Sequence, residues 1–285
     1  MSSKSLKLDF TLPACGALNL QWNYHIGQDR VHSNTSIAHI HPYYEMYVYL
    51  SGNVSFVANH RIYNLTPGDI IFTEPNTTHH AVINSDCTHE HYCIFFYAPD
   101  EKLTMLFSHL AKRTYLHFSE KDRNRLIYLL QSIRENLSSP DCDVFHHIAS
   151  IYEIFSILQH EVGNETLQNY SYPLQDILSY IARHSAELHE LTPIIEHFFI
   201  SQSSLERLFK KHLKITPYQY IQTIKMECAC RMLASGATVT DAALTSGFSD
   251  VSHFIVCFRK RFGMTPSKYQ HLANPSVPPF VSHLS

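Results

Sequence analysis

One stretch occurs twice near the C-terminal end of the 285-residue chain, and it limits what that half can fold into. The first copy runs Ser204-Leu-Glu-Arg-Leu-Phe-Lys-Lys-His-Leu-Lys-Ile-Thr-Pro-Tyr-Gln-Tyr220. The second, His253-Phe-Ile-Val-Cys-Phe-Arg-Lys-Arg-Phe-Gly-Met-Thr-Pro-Ser-Lys-Tyr269, follows forty-nine positions later. Phe209 aligns with Phe258, Lys210-Lys211 with Arg259-Lys260, Thr216-Pro217 with Thr265-Pro266, and Tyr220 with Tyr269. A repeat of that size is one supersecondary unit used twice. Each copy reads as a short amphipathic helix with a basic cluster, then a Thr-Pro that opens another helix. Paired basic helices point to nucleic acid.

Around the repeat, from Pro173 onward, no strand signal survives. Ile177, Ile181 and Leu188 mark a first helix, and Thr192-Pro193 opens a second that ends near Phe199. Ser201 to Ser204 then cap a helix over 203–213, with Leu205, Leu208 and Phe209 inward. Ser203, Ser204, Glu206, Arg207, Lys210 and Lys211 face outward. Pro217 to Leu233 reads as a connector, opened by a capping box of Thr216 and Gln219. Its seventeen residues make a rod of about 25 Å. Val239 to Phe248 supplies the second unit's first helix and turn, with Ala243 allowing a close crossing and Gly247 a positive φ. A last recognition helix runs from about Asp250 to Arg261, with Phe254, Phe258 and Phe262 inward. Residues 170–272 hold 11 Lys+Arg against 8 Asp+Glu, whereas 1–169 hold 11 against 17. The modest positive balance of the repeat half fits a nucleic-acid partner.

The N-terminal part has another period. Between about 18 and 98, short β-branched or aromatic runs (Tyr47–Leu50, Val54–Val57, Ile70–Thr73, Tyr92–Tyr97) alternate with turns such as Ser51-Gly52-Asn53 and Thr66-Pro67-Gly68-Asp69. Such spacing predicts a small β-barrel or jelly roll. Residues 119–137 and 148–162 return to helical spacing and predict a hairpin that packs on the barrel and on a second chain. Glu165–Ser171 reads as a polar linker, and the proline-bearing tail as disordered. The expected boundaries are 1–100 for the barrel, 101–168 for the hairpin and linker, 169–272 for the helical repeat domain and 273–285 for the tail. No apolar run reaches the ~20 residues of a bilayer span. The N-terminus lacks a signal-peptide core, and seven scattered cysteines suit a reducing cytosol.

Within the barrel, His39-Ile-His41-Pro-Tyr-Tyr-Glu45, six residues and then Gly52 resembles the first motif of cupin barrels, HxHx3Ex6G. Pro75, His80 and Asn84 keep the spacing of the second, with Thr77 where that motif has glycine. Alternating His39 and His41 point to one side of a strand, and imidazole with carboxylate suits a divalent transition metal. The metal reading takes His39, His41, Glu45 and His80 as ligands, with His79 as the substitute for His80. In the alternative, the same residues bind an organic ligand or one another, and no cofactor is required. Trp22, Tyr43, Tyr44 and Tyr47 offer flat faces for a sugar ring, so the effector set comprises Trp22, His39, His41, Tyr43, Glu45 and His80.

Ala242-Ala-Leu-Thr-Ser-Gly-Phe-Ser-Asp-Val-Ser-His-Phe254 through Phe262-Gly-Met-Thr-Pro-Ser-Lys-Tyr269 resembles the DNA-binding domain of the AraC/XylS transcription factors. A cupin-like barrel and helical hairpin ahead of it extend the resemblance over nearly the whole chain. It implies a two-domain fold, an all-β barrel followed by two helix-turn-helix units on a linker helix. It implies a cytoplasmic, non-enzymatic regulator whose partners are double-stranded DNA, a small organic effector such as a carbohydrate, a second copy and RNA polymerase. In that family the barrel typically binds an organic effector and often lacks a functional metal. Lys210, Lys211, Arg259 and Lys260, with Arg261, would then meet phosphates. Base reading falls to Ser203, Ser204, Glu206 and Arg207 in one unit and to Val251, Ser252, His253, Ile255 and Val256 in the other. Arg207 aligns with Val256, which predicts that the first unit is the stronger reader. Ile195, Phe199 and Lys214 depart from the pattern of small residues and glycines kept at Ala243, Gly247 and Gly263. The rival readings are a regulator that senses the metal itself and a metal-dependent cupin enzyme.

Overall fold

The computed structural model describes residues 4–12, 18–29, 38–97, 101–137, 143–159 and 172–273. The expected linker at 165–171, the end of the hairpin at Val162 and the tail after Ala273 lie outside them. The strands are β1 (Lys4–Leu12), β2 (Leu18–Asp29), β3 (Tyr44–Ser51), β4 (Val54–Ala58), β5 (Arg61–Asn64), β6 (Ile70–Thr73), β7 (His79–Ile83), β8 (Cys87–Tyr97) and β9 (Tyr115–Leu116). All pairings are antiparallel, in one sheet ordered β1-β2-β8-β3-β6-β9 and another ordered β5-β4-β7.

Period-2 alternation sorts each strand between two environments. Trp22, Tyr24, Met46, Val48, Tyr92, Ile94 and Phe96 leave the back of the large sheet. They form one core with α1 (Glu101–Arg113), α2 (Glu120–Leu137) and α3 (Val144–Leu158), through Phe107, Leu130, Ile133, Ile154 and Phe155. The alternate residues Tyr47, Tyr49, Phe56, Ala58, Ile71 and Ile83 close a smaller core between the sheets. The sequence reading missed β1 and α1, although Leu103, Leu106, Phe107 and Leu110 carry a helical period. At the start of α2, the Ser119 hydroxyl accepts the Asp122 N–H at 3.2 Å and caps the helix.

The rest of the described chain is helical: α4 (Tyr172–His184), α5 (Thr192–Phe198), α6 (Gln202–Leu213), α7 (Pro217–Ala234), α8 (Val239–Thr245), α9 (Val251–Phe262) and α10 (Pro266–Ala273). Ser201, Thr216, Thr238 and Asp250 each cap the following helix through a side-chain oxygen. At Thr216 the predicted capping box with Gln219 forms in both directions. The α4–α7 unit is centred on Leu178, Ile194, Leu205 and Phe209, and the α7–α10 unit on Ala243, Phe254, Phe258 and Tyr269. Each buried phenylalanine contributes roughly 1.5–3 kcal/mol. Gly247, at φ +86, lets the α8–α9 turn lie against Ala186: an added Cβ would sit 2.2 Å from the Ala186 carbonyl oxygen. No helix among the described residues is long and apolar enough to cross a membrane.

The small sheet turns its back on the helical domain. Val57, Ile62 and Val82 belong to the same core as Leu174, Ile177, Leu213 and Tyr220. The layers therefore run α1–α3, large sheet, barrel interior, small sheet, helix-turn-helix units.

Candidate functional site

At one end of the barrel four potential ligands converge. Donor atoms of His39, His41, Glu45 and His79 all lie within 4.8 Å of one another. A bridge between His39 and His79 joins the two segments that carry the imidazoles. Glu45 Oε2 lies 2.7 Å from His41 Nε2 and 2.8 Å from His79 Nε2, within hydrogen-bond distance of both rings. Its Oε1 accepts from the Cys93 thiol at 2.8 Å. On the far side of each ring a backbone carbonyl fixes the orientation: His41 Nδ1 donates to Tyr43 O at 3.0 Å and His79 Nδ1 to Thr77 O at 2.8 Å. Burial opposes ionisation of Glu45, but the His79 charge and the two imidazole hydrogen bonds outweigh it and hold the carboxyl well below the usual range. Burial likewise opposes protonation of His79, and Glu45 reverses it, raising the imidazole. At His41 burial wins and lowers it.

This donor set fits a divalent transition metal. Two Nε2 atoms and a carboxylate meet at one point, and each Nδ1–H is tied to a carbonyl, as ligating histidines commonly are. The fourth member is His79, which the sequence reading held as a substitute. His80 is a correction. Strand alternation points it to the opposite face of β7, where it is 1 % exposed and faces the Leu213 backbone instead of Glu45. Burial there pushes its imidazole down to about 3.

Beside the cluster stands an aromatic wall. Tyr43 stacks on His41 at 3.9 Å between centroids and packs edge-on against Phe95 at 5.0 Å and Tyr97 at 4.7 Å. The Tyr97 hydroxyl donates to Gln21 Oε1 at 2.9 Å. Trp22 takes no part in this wall: it lies on the back of the large sheet, edge-on to Tyr92 in the helix-facing core. Tyr44 also packs there, against Phe107. Phe95, Tyr97, Gln21 and Cys93 were missed, although His89, His91, Cys93, Phe95 and Tyr97 occupy alternate positions of one strand. Deeper in the barrel, Tyr47 OH pairs with His89 Nε2 at 2.7 Å, and His89 Nδ1 donates to Asp29 Oδ2 at 2.8 Å. His91 stacks between Tyr47 and His89.

On the helical domain, Ser203, Glu206, Arg207, Lys210 and Lys211 of α6 are exposed, as are Ser252, His253, Arg259 and Lys260 of α9. Ser204 is half-buried, and the Ser201 hydroxyl that caps α6 donates to its Oγ. Val251 and Ile255 pack against the second unit's core, so of the apolar readers expected there only Val256, 65 % exposed, faces out. Arg261 also departs from the expected phosphate row: its guanidinium donates to the Ala38 carbonyl at 2.8 Å and approaches Thr223 Oγ1 at 3.3 Å, away from the exposed basic residues. Phe199 and Lys214 both hold left-handed backbone, at φ 50 and 59.

A sensor barrel with a polar, aromatic end, followed by two helix-turn-helix units with exposed basic faces, defines a two-part regulator of the ligand-binding, DNA-binding class. Residues 26–132 match the family model described as an AraC-like ligand binding domain, and 194–271 match a helix-turn-helix domain. With an AraC-like ligand-binding domain ahead of a helix-turn-helix domain, the chain is homologous to the RhaS activators of the AraC family. It is 30% identical over 115 residues to the HTH-type transcriptional activator RhaS of Escherichia coli O139:H28, an alignment covering 40% of this chain and 41% of that relative. Against RhaS of Escherichia coli O6:H1 the identity is 25% over 244 residues, covering 80% and 85%. Among solved structures, ToxT from Vibrio cholerae O395 aligns at 14% identity and a TM-score of 0.37, over 95% of this chain and 96% of that one. An AraC family regulator from Rhodopseudomonas palustris CGA009 aligns at 27% identity and 0.34, over 37% and 100%.

Proposed function

We propose that the chain is a sequence-specific transcriptional regulator that grips double-stranded DNA with both helix-turn-helix units and answers to a small organic molecule in the barrel. The observation that carries the reading is the pair of exposed basic faces, on α6 and α9, presented by units joined through the buried helix α7. Phosphate contacts from Lys210, Lys211, Arg259 and Lys260 set affinity, and Arg207 reads a guanine edge. The aromatic wall of Tyr43, Phe95 and Tyr97, next to Gln21, His41 and Glu45, suits a ring that stacks on one face and hydrogen-bonds at its edge, as a carbohydrate does. Exposed Met105, Tyr128, Phe145 and Tyr152 on α1–α3 support pairing with a second copy through the helical layer. RNA polymerase is the partner an activator requires. Selection of bound duplexes from a random pool, repeated with candidate sugars present, tests the reading. Recovery of no preferred sequence in any condition would contradict it.

A second reading, sensing of a divalent metal, is favoured by one observation: the orientation of His41 and His79 towards Glu45 with both Nδ1 atoms anchored. Metal analysis of purified protein beside His41→Ala separates the two, since stoichiometric metal lost in the variant supports sensing and its absence from both opposes it. A metal-dependent enzyme would in addition show turnover, for which paired DNA-reading units supply no purpose.

A further inference from the structure

The barrel touches both helix-turn-helix units at once. On the first unit's side, Val57, Ile62 and Val82 share a core with α4, α6 and α7. The His60 ring lies 3.2 Å from the Tyr220 hydroxyl, and Gln175 donates to the His60 carbonyl at 2.8 Å. On the second unit's side, Ile40 enters the core of Met226, Cys230 and Phe258. Arg261 holds the Ala38 carbonyl, and the Tyr269 hydroxyl donates to Asn76 Oδ1. Between them, on α7, Glu227 is 2 % exposed and accepts the Thr78 N–H at 3.2 Å, with Arg231 as its other partner.

We propose that the barrel is a bracket. It fixes the relative placement of α6 and α9, and so sets the spacing of the two DNA elements they read. Docking leaves the exposed residues of both recognition helices uncovered, so its effect falls on geometry rather than on access. Helix α7 has apolar or pinned groups on every side, from Ile221 and Leu233 to Glu227 and Lys225, whose ammonium donates to Gly247 O at 2.9 Å. A helix buried all round is one that packs against more than one neighbour. The gripped residues Ala38, Asn76 and Thr78 belong to the same two segments as His39, His41 and His79, and Asn76 N–H donates to His41 O at 2.8 Å. The rim of the candidate site and the grip on the DNA-binding domain are therefore one structure, which gives a barrel ligand a physical route to both units.

The bracket rests on the reading of α6 and α9 as two DNA readers, and the test separates the two claims. Full-length protein is titrated against its selected duplex and against duplexes lengthened by one, two or three base pairs between the two contacted elements. Each inserted pair rotates the second element by roughly a tenth of a helical turn. The wild type is expected to lose about tenfold in affinity per early insertion, equivalent to ~1.4 kcal/mol. The variants Glu227→Gln and Tyr269→Phe, which keep side-chain volume, and the combination of Asn76→Ala with Glu227→Gln are expected to bind the parent duplex comparably and to flatten that spacing profile. A spacing profile in the two volume-conserving variants identical to the wild type's overturns the bracket, whether or not the combined variant folds. A wild type that binds no duplex overturns the DNA-reading assignment itself.

Discussion

Arg207 and Val256 occupy equivalent places in the two repeats, and their chemistry divides the labour. A guanidinium can take the two acceptors of a guanine edge, worth about 1–3 kcal/mol of discrimination, whereas a valine can only touch a thymine methyl. Arg207→Ala should erase preference at one base pair of the selected site in a mutant-duplex binding assay, while Val256→Ala leaves specificity nearly intact; the reverse order would contradict the assignment. In the barrel, burial depresses His60, His89 and His91, the last also through the neighbouring His89 and His25. Below about pH 6.5 the unfolded chain takes up protons that these folded-state imidazoles refuse, so stability falls as pH drops. His79, raised by Glu45, has the opposite sign and acts above that pH. Urea midpoints should accordingly fall from pH 6.5 to 5, and His91→Gln should reduce the difference; equal midpoints at both pH values would count against the buried-neutral assignment. These residues were hard to weigh in the sequence because 21 histidines carry the same letter, and only strand alternation sorts His79 inward from His80 outward.

The two helix-turn-helix copies differ in their turns as much as in their readers. Gly247 meets its backbone demand without strain, and Gly247→Ala would drive a Cβ into Ala186 as well as force a positive φ. Its thermal midpoint should drop by an amount equivalent to more than ~1 kcal/mol. In the first unit Lys214 and Phe199 hold left-handed backbone without glycine's freedom. Lys214→Gly should therefore stabilise the protein by roughly 1 kcal/mol, and a lower unfolding midpoint would show that its side chain contributes more than the strain removes. Phe199, 97 % exposed, has no such role in packing. Helix periods, caps and the Thr-Pro punctuation made α5 to α9 legible almost to their ends, because those signals are local. The strands β1 and β5, the helix α1 and the placement of Trp22 were not, since a strand's inward face depends on which sheet and helix cover it.

At the level of the whole molecule, the sequence carried the two-part plan but not the contact between the parts. Arg261 reads as one more basic residue in a basic run; in the structure it reaches the Ala38 carbonyl, 223 positions away in the chain. Tyr269 reads as a repeat landmark and Glu227 carries no motif at all, yet both hold the barrel. Such assignments depend on docking, which no local pattern encodes. Whether both repeats engage DNA together is read directly by hydroxyl-radical footprinting of full-length protein on its selected duplex. The predicted result is two protected elements on one face of the duplex, about one turn or ~10 base pairs apart. Lys210→Ala with Lys211→Ala should weaken one element and Arg259→Ala with Lys260→Ala the other. A single protected element, insensitive to one of the two pairs of substitutions, would contradict it.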